Sequence, residues 1–223
     1  GSIKPIIVPA VSDEQEAEFI VQKILELRDD GVPLREMAVL FRAAYHSQAL
    51  EFELTRRDIP YDFRGGMRFF DRAHIKDVLA YLKVVDNPKD EVALSRSLRL
   101  QVGIGEQTAG QLFEMMQERL GPLDEDTHPL SSVIESLMPP SRGEQGWKIF
   151  RGTLESLIDE RQNGPETLVR LVMDGDYRDY LKNQYQDADD RLQDLEQLAL
   201  FAGKYDQLSK FLSEVSLQES FGA

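Results

Sequence analysis

The chain has 223 residues, 41% hydrophobic and 30% charged, and contains no cysteine. That is a globular chain with length for one large domain or two small ones, and it excludes collagen-like, disordered, disulfide-stapled and thiolate-zinc classes. With 26 basic against 40 acidic residues the formal net charge is -14, so the whole molecule repels nucleic acid at long range and any such contact has to be local.

The first ninety residues alternate strand and helix signals. Ile6-Ile7-Val8 is a β-branched run. Ser12 to Gln15 has the form of a capping box, opening a helix whose Ala17, Ile20, Val21, Ile24 and Leu27 share one face until Gly31 and Pro33 end it. Met37 to Phe41 is a continuous apolar run that predicts a buried strand; a helix with Leu50 and Leu54 follows, then a third strand at Tyr61 to Phe63. Ile75, Val78, Leu79 and Leu82 mark another amphipathic helix, stopped by Asn87-Pro88. This order predicts an α/β portion, a partial parallel sheet of about three strands with right-handed crossovers.

Beyond Pro88 the signals are all helical. Val92, Leu94 and Leu98 open one helix, Gly103-Ile104-Gly105 makes a tight turn, and Ala109, Leu112, Phe113 and Met116 line the next. Residues 121–146 read as a long connection with one helix near Val133 to Leu137. Trp147, Phe150, Leu154 and Leu157 mark a further helix; Gly164-Pro165 starts another, and Leu192, Leu195, Ala199 and Ala202 define a long one. No apolar run approaches the ~18 residues of a membrane span, and the start shows no signal-peptide pattern. The absence of cysteine predicts an intracellular chain, and Gly1-Ser2 without an initiating Met reads as a cleavage scar, which predicts an excised piece of a longer protein.

No phosphate-binding loop of the form G-x-x-x-x-G-K-[ST] occurs, and the compact acidic cluster Asp124-Glu125-Asp126 does not end an apolar strand. His46, His74 and His128 lack metal-ligand spacing, so no metal site is expected. Arg42, directly after an apolar strand, is either a solvated strand-end residue or a guanidinium able to reach a phosphate. Gly103-Ile104-Gly105, followed by Thr108, is either a plain helix–helix turn or a helix-hairpin-helix element, whose backbone N–H groups take a phosphate oxygen without side-chain charge. In Gly65-Gly66-Met67-Arg68-Phe69-Phe70-Asp71-Arg72, aromatic faces interleave with arginines, as in a single-strand track; the aromatics fit a core equally well.

In order along the chain, Ala38-Val39-Leu40-Phe41-Arg42-Ala43-Ala44-Tyr45-His46-Ser47, Ile59-Pro60-Tyr61, Gly65 to Phe70, Lys76 to Leu82, Asn87-Pro88, Gly103-Ile104-Gly105, Gly175-Asp176-Tyr177 and Arg191 to Leu195 resemble the UvrD/Rep/PcrA family of superfamily 1 DNA helicases. The resemblance implies that residues 1–92 belong to the second RecA-like motor domain, around helicase motif IV, and 93–223 to the helical subdomain inserted in it. The first RecA-like domain and the later helicase motifs would lie elsewhere in the parent chain. It further implies an ATP-dependent helicase parent using ATP and Mg²⁺, with nothing bound to this piece alone and no ATPase activity of its own. Arg42 would reach the γ-phosphate beside the aromatic Phe41. Gly103, Ile104, Gly105 and Thr108 would meet the duplex junction, and Gly65, Gly66, Arg68, Phe69 and Arg72 the single strand.

The implied setting is the bacterial cytoplasm, at the nucleoid, with no membrane partner. Two departures matter: Ala43-Ala44 stands where many relatives carry polar residues, which changes the nearby polar contacts, and Val102 stands where many carry a basic residue just before the G-I-G, which counts against tight duplex binding. The rival reading is an acidic protein-interaction or autoinhibitory helical module without DNA binding. It draws on the uneven charge, 13 basic and 16 acidic residues in 1–90 against 13 and 24 in 91–223.

Overall fold

The computed structural model describes residues 5–42, 44–64, 68–120, 129–139 and 141–220. They form two compact units, one within the residues up to Phe69 and the other Phe70–Glu219. Among the described residues there are eleven α-helices and no strand.

In the first unit α1 (Asp13–Asp29) starts as the sequence predicts: the Ser12 side chain accepts from the Gln15 N–H at 3.3 Å, and Gln15 Oε1 reaches back to the Val11 N–H at 2.8 Å. Its Ala17 and Val21 are buried against Leu50 and Leu54 of α2 (Gln48–Arg56) and against Ile59, with Leu34 and Tyr61 packed around them. Leu27, expected on this face, is exposed.

The expected partial parallel sheet is not formed. Ile6 to Val8, Met37 to Phe41 and Tyr61 to Phe63 carry no ladder; Ile7 is 92% and Leu40 93% exposed, and short 3₁₀ turns, such as Leu34–Glu36, punctuate the chain. An apolar β-branched run is only half of a strand. The other half is a neighbour to take its N–H and C=O groups, and none lies alongside among the described residues. Two of these segments meet through a ring stack, Phe41 on Phe63 with centroids 5.7 Å apart, and not through backbone hydrogen bonds among the described residues. The described fold is therefore all-α.

The second unit is built on α3 (Ala73–Asp86), which packs against α4 (Glu91–Arg99), α7 (Glu144–Asp159), α8 (Pro165–Asp174) and α10 (Ala188–Ala202). Because neighbours cover it on several sides, it buries Tyr81, Val84 and Val85 as well as the predicted stripe. Beyond these, α5 (Glu106–Arg119) packs on α4, α6 (Pro129–Ser136) on α5 and α7, and α9 (Asp176–Gln184) on α8 and α10, and α11 (Leu208–Ser220) follows α10 in the chain. Asp90 caps α4, accepting from the Ala93 N–H at 2.9 Å, and Pro165 occupies the first turn of α8. Residues 141–146, expected within a connection, instead form a 3₁₀ turn at Ser141–Gly143 and the start of α7.

A buried ionic network ties α3 to α9 and α10. Asp194 accepts from Arg72 Nη1 at 2.6 Å and pairs with His74 Nε2 at 2.7 Å. Arg191 donates toward His74 Nδ1 at 3.3 Å and lays its guanidinium 3.8 Å over the Tyr185 ring. A guanidinium only donates, so this arrangement fits an imidazole with its proton on Nε2, given to Asp194. Asp77 is shared between Arg96 Nε and the Tyr177 hydroxyl, each at 2.7 Å.

Candidate nucleic-acid interface

The G-I-G turn joins α4 to α5. Leu100 follows the last residue of α4, the Gln101 N–H bonds the Leu98 carbonyl at 3.0 Å, and the Ile104 N–H bonds the Gln101 carbonyl at 3.2 Å. Gly103 has φ +78, the left-handed region that an L side chain rarely adopts. Gly105 is the N-cap of α5, and no side chain caps the N–H groups of that helix's first turn. Gln101 anchors the turn from beneath, donating to the Tyr81 hydroxyl at 2.6 Å. The two glycines are exposed, Ile104 is buried at 4% exposure, and Thr108 is half-buried. The apolar side chain is thus buried while both glycines and the uncapped first turn of α5 at Glu106 and Gln107 are exposed, a surface suited to an anion.

The turn rests on residues 142–146, which the sequence pattern assigns to a connection. A Cβ placed on Gly103 would lie 2.1 Å from the Arg142 carbonyl oxygen, and one on Gly146 would lie 2.3 Å from the Val102 carbonyl oxygen. Ile104 Cγ1 and the Thr108 methyl group face Gly143. Two backbone stretches therefore touch, with glycine on each side of the contact. The spacing Gly143-x-x-Gly146 was the signal available in the sequence, but it names no partner.

The other predicted site residues are placed as follows. Phe41 and Arg42 line a cleft of about 260 Å³ in the first unit, with Asp13, Glu16, Ile20, His46 and Leu50 among its other walls. Arg42 is exposed and has no hydrogen bond or ion pair among the described residues. Asp13 and Glu16 in the same cleft oppose an anion there. Arg68 sits over the Tyr61 ring at 5.2 Å, and burial with the Glu51 carboxylate raises the Tyr61 phenol to about 12. Phe69 is fully buried, and Arg72 is buried in its pair with Asp194. Gly65 and Gly66 lie outside the described residues, as do His128 and the 124–126 acidic cluster. Among the described residues no three metal-ligating side chains converge, and no helix is long and apolar enough to cross a membrane.

Comparison with known proteins adds an independent observation. Residues 1–125 match the family model described as the UvrD-like helicase C-terminal domain. The chain is 28% identical over 225 residues to DNA helicase II of Haemophilus influenzae, covering 95% of this chain and 30% of that protein. It is 27% identical over 221 residues to the ATP-dependent DNA helicase PcrA of Staphylococcus epidermidis, covering 93% and 30%. Over 97 residues, 43% of this chain and 13% of the relative, identity to PcrA of Staphylococcus aureus rises to 34%. The chain thus spans about 30% of the length of the curated relatives that it matches along nearly all its length.

Proposed function

Because the chain belongs to the UvrD-like helicase C-terminal domain family, we propose that it is part of an ATP-dependent DNA helicase and that its own contribution is to hold duplex DNA at the G-I-G turn. The observation carrying this reading is the geometry of that turn: exposed Gly103 and Gly105, buried Ile104, and an α5 N-terminus without a side-chain cap. Backbone N–H donors at a helix start bind a phosphate oxygen with no need of a cation, which suits a chain of net charge -14. The contacts are few, so affinity is low and salt-sensitive.

In the parent, residues 1–92 belong to the second motor domain and 93–223 to its inserted helical subdomain. Arg42 then reaches the γ-phosphate of ATP, with Phe41 beside it; the phosphate loop and the Mg²⁺-binding acid come from elsewhere in the parent. A guanidinium at that place stabilises charge on the transferring group; its exposure and its lack of an ion pair among the described residues support the role, while Asp13 and Glu16, which line the same cleft, work against it. On the single-stranded side, Arg68 is the better placed contact, since Phe69 is buried and Arg72 is paired with Asp194. The proposed setting is the bacterial cytoplasm, where the DNA of the relatives' source organisms is found.

The test is a titration of the chain against a short fluorescent duplex and a single strand of equal length, at low and moderate salt. Duplex binding that weakens with salt and exceeds single-strand binding is expected. Absence of duplex binding at low salt, with capture of a basic protein instead, would overturn the reading in favour of an acidic interaction module.

A further inference from the structure

The turn is not a free-standing loop. Its left-handed glycine lies directly against the Arg142 carbonyl, and the Val102 carbonyl lies directly against Gly146, so that a methyl group at either glycine would overlap backbone oxygen. Ile104 and Thr108 close the same contact under Gly143. The 3₁₀ turn Ser141–Gly143 is thereby held beside the exposed glycines. Arg142 is exposed and has no hydrogen-bond or ion-pair partner for its guanidinium among the described residues. Elsewhere in this unit Arg151, Arg170, Arg178 and Arg191 are each matched to a carboxylate; Arg99 and Arg161 share with Arg142 the lack of one among the described residues, but neither touches the turn's glycines as the Arg142 backbone does.

We infer that Arg142 is part of the duplex-contacting surface, giving the side-chain phosphate contact that Val102 cannot give. The inference rests on the reading that the G-I-G turn meets duplex DNA, and it extends that surface to a second stretch of chain 39 residues further on. The backbone N–H groups of the turn engage one phosphate oxygen set, and the planar guanidinium engages a phosphate through two parallel N–H donors. Glu106 and Glu144 flank the two stretches and keep the attraction weak. The partner is the phosphodiester backbone of a duplex, with no base readout.

The experiment measures binding of the 223-residue chain to a short fluorescent duplex across a salt series, for wild type, Arg142→Ala, Arg142→Lys and Gly105→Asp. Arg142→Ala is expected to weaken low-salt affinity about tenfold and to reduce the salt slope by about 0.9, one phosphate contact. Lys should keep the slope and lose part of the affinity, since a point charge lacks the fork. Circular dichroism and melting should not change, because the side chain is exposed. Gly105→Asp probes the turn itself: nothing lies within 4 Å of its Cβ, so the carboxylate fits while occupying the N–H groups a phosphate needs. If Gly105→Asp abolishes binding but Arg142→Ala leaves affinity and slope unchanged, the inference about Arg142 is overturned and the turn keeps its role. If neither variant changes duplex binding, or wild type shows none, the reading of the turn fails and the inference with it.

Discussion

Replacing Asp194 by Ala should be among the most damaging single substitutions in the helical unit. Its carboxylate holds Arg72 at 2.6 Å and His74 at 2.7 Å, and the three side chains are 13%, 9% and 5% exposed. The Arg72 guanidinium would lose its buried counter-charge and the imidazole its acceptor, while water could not easily replace either. Breaking such a buried pair from one side costs about 3–5 kcal/mol. For a unit of this size about 1 kcal/mol moves the midpoint by roughly 2–4 °C, so a fall of about 6–20 °C is expected. Thermal unfolding followed by circular dichroism gives the number, with Arg151→Ala as the control, because its pair with Glu155 is 40% and 39% exposed and such pairs are worth at most about 1 kcal/mol. Replacing Arg72 and Asp194 together by Met and Leu should recover most of the loss, since a well-packed apolar pair often matches an ion pair. A fall of less than about 1 kcal/mol for Asp194→Ala would show that the network is hydrated in solution, and the reasoning would fail.

Stability should also decline in alkali. Burial, then the Asp77 carboxylate, raises both Tyr177 and Tyr81, and burial raises Tyr205 to about 12. A raised phenol favours the folded state fully below the unfolded value near 10 and loses that contribution as pH climbs above it; absorbance at tyrosinate wavelengths should rise together with loss of helix, and independent titration of all tyrosines in the folded chain would contradict this. Gly146→Ala drives a methyl to within 2.3 Å of the Val102 carbonyl oxygen and should cost about 1–3 kcal/mol, whereas Gly105→Ala, with open space around its Cβ, should melt within about 1 kcal/mol of wild type. In the full-length parent Arg42→Ala should lower DNA-stimulated kcat by about two orders of magnitude with little change in ATP affinity, and Lys should rescue poorly; equal turnover in a steady-state ATPase assay would return Arg42 to the solvated surface.

Local chemistry was legible where it is complete within a few residues. Ser12 and Gln15 find each other's neighbourhood within one turn, so the start of α1 follows from four positions. The same holds for the turn at Gly103-Ile104-Gly105 between two amphipathic helices, and for the ordered motifs that carried the family resemblance. Strands were misjudged because their criterion is not local. Met37 to Phe41 has the composition of a buried strand, yet a strand exists only where a second backbone runs beside it, and Leu40 is 93% exposed.

What tertiary structure alone decided are the pairings across long stretches of chain. Arg72, which in sequence belongs with a run of aromatics and glycines, is drawn inward by Asp194, 122 residues away, because a buried guanidinium requires a matched carboxylate. Arg142 and Gly146 sit in a stretch rich in turn-forming residues, and nothing in their neighbours announces that Gly103 and Val102 will lie against them. That contact depends on how α4 and α7 pack on α3 and on each other, with α5 against α4, and packing is a property of the assembled helices rather than of any one of their sequences.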